Sequence, residues 1–280
     1  ATLAFFTTLR RASPKIARGA ILLWLTSPMV LAMAGSQMNH VPALFFAITA
    51  FSAMYIGFQR PELMVLNAAI CGLSLGAMAT IRPFDAALVG IVIGATHVAA
   101  SMRDRKRWKM LAVEAVAAAV PVALLLLANP RTTGGAFTFG YDALNGPEHG
   151  LGFHVDPNGD DHTLLRGIAI SSGYLMRLSL FLFEWPVPGV LVIALGLWLV
   201  REPSPWATAL AAVAGLFVLG YAAYWFDGFF AGPRFLFTAV PAFIYFAARA
   251  PGAFVERWPA LRRPAMLFLP LCVLTAWFGP

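Results

Sequence analysis

Apolar positions along this chain form solid blocks rather than an alternation. Runs of roughly 15–20 such residues follow one another, each long enough to cross a hydrocarbon core about 30 Å thick as a helix. The blocks predict spans at 18–36, 41–58, 63–81, 85–101, 110–128, 186–200, 205–225, 233–249 and 264–279. A transmembrane β-barrel would alternate apolar and polar residues instead. The expected fold is therefore an all-α polytopic membrane protein with about nine transmembrane helices, one interfacial helix and a long extracytoplasmic loop. Three segments follow: a first bundle at 1–128, the loop at 129–185, and a second bundle at 186–280.

The segment 129–185 departs from the block pattern and is longer than an ordinary connection. It contains Phe137, Phe139, Tyr141, Leu151 and Phe153, which argues against disorder. Its second half, TLLRGIAISSGYLMRLSLFLFEWP, is apolar but carries Arg166 and Arg177. Because a central span would put Arg177 in lipid, an amphipathic helix along the outer leaflet is expected, with Trp185–Pro186 marking the return into the membrane.

Composition agrees with the pattern. The mean hydropathy is +0.74 and only 12% of residues are charged, against about a quarter in soluble domains. Cys71 and Cys272 lie inside apolar runs and read as small buried hydrophobes. The first residues carry neither an initiating Met nor a signal-peptide cleavage pattern, so further N-terminal spans are expected upstream.

The net charge of +7 bears on topology rather than on a nucleic-acid partner. Fifteen of the twenty basic residues fall on alternate connections: Arg10 to Arg18, Arg60, Arg103 to Lys109, Arg201, and Arg249 to Arg263. The positive-inside rule makes that side cytoplasmic, in the inner (plasma) membrane of the cell. The opposite connections, 36–40, 82–85, 129–185 and 226–234, carry eight of the thirteen acids.

Four polar clusters project to that outer face: Asn39 with His40, Arg82 with Asp85, the loop from Asp142 to His162, and Asp227 with Arg234. The stretch NGPEHGLGFHVDPNGDDHT (145–163) alone holds three of the five histidines. Its His149, His154, Asp156, Asp160, Asp161 and His162 are ligand types that a divalent metal such as zinc accepts, but their spacing matches no helical or EF-hand register. The alternatives are plain turn chemistry, with DPNGDD an Asx-rich turn, and contact with substrate.

Arg82 and Arg234 each sit beside a proline at the mouth of an apolar run. A guanidinium there suits a phosphate through charge-assisted hydrogen bonds. The competing roles are snorkelling to the interface and an ion pair such as Arg82–Asp85. Trp185, Trp225, Phe226, Phe229 and Phe230 fit an interfacial aromatic belt, and some could flank a lipid chain or a sugar ring. Glu184 fits a capping acid, and the glycines of GIVIGAT and GLSLGAM fit close helix packing. No phosphate-binding loop, dinucleotide fingerprint or nucleophile elbow occurs.

Five stretches in this order carry a resemblance: TSPMVLAMAGSQMNHVPALFFAITAF (26–51), LGAMATIRPFDAALVG (75–90), FGYDALNGPEHGLGFHVDPNGDDHT (139–163), FLFEWPVP (181–188) and GPRFLFTAVP (232–241). Together the chain resembles the membrane-embedded glycosyltransferases of the C-type fold, specifically bacterial relatives of the dolichyl-phosphate-mannose protein mannosyltransferases. The resemblance implies transfer of a sugar from a polyprenyl-phosphate donor to a glycan, lipid or protein acceptor at the outer face. Membrane lipid would surround it. On that basis Arg234 and Arg82 would meet the donor phosphate, with Asn39, His40, His149, His154 and His162 around the substrates. The resemblance also implies a catalytic acid in the first outer loop. No acid precedes Glu62 here, so the base is expected upstream, with Asp142, Asp156, Asp160 or Asp161 as substitutes.

The competing expectation is a transporter or flippase for a lipid-linked sugar. Transporters hold polar residues near the bilayer midplane, and Glu114 is placed only about a turn inside the cytoplasmic boundary.

Overall fold

A computed structural model describes residues 2–199 and 204–278. Val200 and Arg201, expected at a span end and its connection, lie outside the described residues, as does Gly279. The helices in chain order are α1 (Thr2–Ala12), α2 (Pro14–Thr26), α3 (Pro28–Ala34), α4 (His40–Gln59), α5 (Met64–Ile81), α6 (Pro83–Arg103) and α7 (Trp108–Thr132). They continue with α8 (Gly140–Asn145), α9 (Leu164–Phe181), α10 (Gly189–Trp198), α11 (Pro205–Gly220), α12 (Val240–Arg257) and α13 (Arg262–Phe278). Among the described residues no strand forms, only the isolated bridges Val155–Asp161 and Phe229–Pro233.

The all-helical, polytopic reading holds. Among the described residues seven helices are long and apolar enough to cross a membrane, or eight if the bent pair α2–α3 counts as one span. Their positions match eight of the nine expected blocks. Proline explains the bend: Ser27, which precedes Pro28, is pushed to an extended ψ of 116°, and the two helices meet at 59°. The Ser27 hydroxyl then caps Val30 N at 3.2 Å and donates to the Leu182 carbonyl at 2.6 Å.

The remaining block, 186–200, is shorter than expected. Pro186 and Pro188 hold the chain out of helix until Gly189, which leaves the ten residues of α10. Ten residues rise about 15 Å, roughly half a hydrocarbon core. The expected helix in the long segment is present as the 18-residue α9, with Leu165, Ile168, Met176 and Leu180 exposed along it.

The chain forms two compact units. The first comprises Pro42–Ser172 and Leu216–Asp227, and the second comprises Thr2–Val41, Gly173–Gly215 and Gly228–Pro280. In the first, α5 packs on α7 with backbone almost in contact: a Cβ on Gly72 would lie 2.1 Å from the Glu114 carbonyl, and one on Gly76 2.3 Å from that of Ala118. These glycines are where two helices touch. In the second, α12 is the central helix, packed against α2, α10 and α13, and Gly196 lets α10 approach the Phe246 carbonyl.

Candidate functional site

Helix α11 stops at Gly220, the next three residues form a 3₁₀ turn, and Tyr224 is extended. A helix end leaves carbonyls without intrahelical partners. In the first unit, five consecutive residues from Tyr221 to Trp225 each engage a different partner, four of them in the long loop and one at the α5–α6 turn.

Tyr221 comes first. Arg82 precedes Pro83 and is extended, so α5 ends there and α6 begins. Asp85, in the first turn of α6, is fully buried. Its carboxylate pairs with Arg82 Nε at 3.0 Å and accepts a hydrogen bond from the Tyr221 hydroxyl. Arg82 Nη2 donates to the same hydroxyl at 2.7 Å. Of the roles open to Arg82, the ion pair with Asp85 is the one observed.

The Ala222 carbonyl accepts from His162 Nε2 at 3.1 Å, which sets the ring in its Nε2–H form. The Ala223 carbonyl accepts from Gly152 N at 2.8 Å. The Tyr224 and Tyr141 hydroxyls are 2.9 Å apart. The Trp225 ring stands edge-on to His149 at 5.5 Å, and His149 edge-on to Tyr141 at 6.1 Å. This part of the long segment is therefore ordered and docked, and it meets the same short strip of chain as the α5–α6 turn.

Within the loop, DPNGDD folds as the turn its composition suggests. Asp156 Oδ1 accepts from Asn158 N at 2.8 Å and Asp160 N at 3.1 Å, Gly159 takes φ +87°, and Arg166 closes the turn at 2.8 Å from Asp156 Oδ2. Burial alone would raise the Asp156 carboxyl, but those amides and the Arg166 guanidinium outweigh it and hold the group below the usual carboxylate range. His154 is pushed up, because its two ring nitrogens face the carbonyls of Val155, at 2.7 Å, and Gly150, at 3.1 Å. His162 is pushed down, first by burial, with the Ala222 carbonyl opposing and Arg166 adding to the shift.

The structure thus separates the loop's candidate residues. Among the described residues, no three His, Cys, Asp or Glu side chains gather in a way that could hold a metal. Asp160 and Asp161 are exposed and Asp142, on α8, is half-buried. In the second unit, Asn39 is exposed while His40 is buried, its ring 5.9 Å from Phe235. Arg234 lies over the same Phe235 ring at 5.2 Å, so these two candidates share an aromatic neighbour.

Sequence reasoning missed Tyr141, Tyr221 and Tyr224. YAAYW at the end of an apolar run was the available signal, but it reads equally as an aromatic belt. It also missed the pairing of His97 with Glu114, both buried, between α6 and α7. Compared with protein-family profiles, curated proteins and solved structures, the chain finds no match.

Proposed function

We propose that this protein is a membrane-embedded glycosyltransferase that moves a sugar from a polyprenyl-phosphate donor onto an acceptor hydroxyl at the extracytoplasmic face. One observation carries the reading: the long polar loop is folded onto Tyr221–Trp225 beside the α5–α6 turn, giving aromatic, imidazole and carboxylate groups at one end of a bundle of apolar helices. A transferase for lipid-linked sugars needs such an end, with its polar chemistry next to lipid.

In the proposed step a carboxylate takes the acceptor hydroxyl's proton as that oxygen bonds to the anomeric carbon. The bond from that carbon to the phosphate oxygen breaks, and the electron pair leaves with the lipid phosphate. An arginine stabilises the departing charge. The arginines named for that role are Arg82, which Asp85 pairs, and Arg234. Asp156 is held by two amides and Arg166; Asp142, Asp160 and Asp161 are the loop acids this reading leaves for a base.

The test is incorporation of radiolabelled sugar by membranes containing the protein, supplied with a panel of polyprenyl-phosphate sugars. Transfer that falls at least tenfold in Arg234→Ala supports the reading. No transfer from any donor, with the protein abundant and folded, overturns it. A second reading, transport of a lipid-linked sugar, is favoured by the His97–Glu114 pair, because ionisable side chains inside membrane helices mark ion and proton pathways. Flux in proteoliposomes without transfer would select it.

A further inference from the structure

Four rings of the first unit form a continuous group: Tyr141, His149, Tyr224 and Trp225, with successive edge-on or tilted contacts and Tyr224 to Trp225 at 6.3 Å. Two of their polar atoms stand out. Trp225 Nε1 and His149 Nδ1 are both shielded from solvent, and neither has a hydrogen-bond partner among the described residues. Native proteins seldom leave such atoms unsatisfied. Here two occur on adjacent rings 5.5 Å apart.

The indole N–H is a donor only, so whatever satisfies it brings an acceptor oxygen. His149 Nδ1 donates or accepts according to tautomer, which suits a hydroxyl. The Tyr141 and Tyr224 hydroxyls add two more such groups, and Tyr141 is 49% exposed, so the group is open from outside. None of the four side chains is an arginine, a lysine or a carboxylate, so nothing in the group selects a phosphate or an ammonium by charge. A pyranose matches this set, with a C–H face for an aromatic ring and a rim of hydroxyls for the N–H and O–H groups.

We infer that Tyr141, His149, Tyr224 and Trp225 form a subsite for the ring of a neutral sugar. Its assignment to a substrate of sugar transfer rests on the function proposed above; the binding itself does not. Gly146, at φ +87°, and the Gly152–Ala223 hydrogen bond hold the loop that carries His149 against the strip.

The test uses the full chain in lipid nanodiscs, probed by saturation-transfer NMR with the methyl glycosides of mannose, glucose, galactose and N-acetylglucosamine. At least one glycoside should receive saturation, more at its ring C–H groups than at its O-methyl. Trp225→Phe keeps an aromatic ring and removes the N–H, and should weaken binding about fivefold, the loss of one hydrogen bond. His149→Phe should act likewise, and Trp258→Phe, in the second unit, should change nothing. Equal thermal midpoints for the variants exclude misfolding.

No saturation above that of the Trp225→Ala protein, or full binding in Trp225→Phe, would overturn the subsite. Binding without sugar transfer would support the subsite while sinking the transferase reading. Sugar transfer together with full glycoside binding in Trp225→Phe would sink the subsite while leaving the transferase reading standing.

Discussion

The Tyr221 hydroxyl donates a hydrogen bond to Asp85, a residue 136 positions away and fully buried. Arg82 completes the arrangement, so one buried carboxylate is paired with a cation on its own turn and hydrogen-bonded by a phenol from the 3₁₀ turn after α11.

Removing a single member leaves a buried charge exposed to its desolvation penalty. Tyr221→Phe should lower stability by about 1–3 kcal/mol, and Arg82→Ala by about 3–5 kcal/mol. In the double variant Arg82→Ala/Asp85→Ala the loss should be smaller than in Arg82→Ala alone. Thermal unfolding in nanodiscs measures all three. A loss in the double variant as large as or larger than in Arg82→Ala would show that the pair is not coupled.

The loop should titrate in two opposite senses. His154 binds its proton more tightly when folded, so its contribution is complete below the unfolded value of about 6.5 and is lost as pH rises through the folded pKa. His162 is depressed, so its contribution is present above about 6.5 and is lost as pH falls through its folded pKa. Histidine NMR titrations should therefore give midpoints above and below 6.5 respectively. Exchange of the Gly152 amide should quicken as His162 protonates. A reversed order of midpoints would mean that the loop is not docked as described.

Gly167 sets the distance between α9 and the docking strip. A Cβ there would lie 2.1 Å from the Ala222 carbonyl and 3.3 Å from the Phe153 ring. Gly167→Ala should lower stability by about 1–3 kcal/mol, the usual range for overpacking. It should also weaken protection of the loop amides in hydrogen exchange. Gly173→Ala, in open space on the same helix, is the control and should be neutral or slightly stabilising.

The His97–Glu114 pair predicts a different pattern. Glu114→Leu alone, which strands a buried imidazole, should lower stability by about 3–5 kcal/mol, whereas His97→Leu/Glu114→Leu together should recover most of that loss. Unfolding midpoints of the two variants decide it. If the double variant is as unstable as the single one, the pair is not an isolated couple.

The helices and their polar connections were legible because each needs only a local run of residues. Even the turn at Arg82 was marked by the proline after it. The bend at Ser27 and the short α10 are local as well, but they turn on prolines inside an apolar run, where hydropathy sees no interruption. The site was less legible. His149 and His162 were visible as chemistry, but not that both would face the strip at Tyr221–Trp225, which lies over 50 positions further along. Tyr221 and His97 fall inside the expected spans 205–225 and 85–101 and were not singled out, because only the fold brings each to its partner.

The end of α11 has one more consequence. Three carbonyls in its last turn and the 3₁₀ turn after it take hydrogen bonds from elsewhere in the unit: Val218 from the Ser171 hydroxyl, Ala222 from His162 and Ala223 from Gly152. A membrane helix normally has to reach water or headgroups before it stops, since a bare terminus in hydrocarbon costs several kcal/mol per unsatisfied group. Here α9 and the loop act as a surrogate solvent for the terminus. The end of the helix is thereby satisfied by protein rather than by solvent, and Tyr224 can leave it as extended chain.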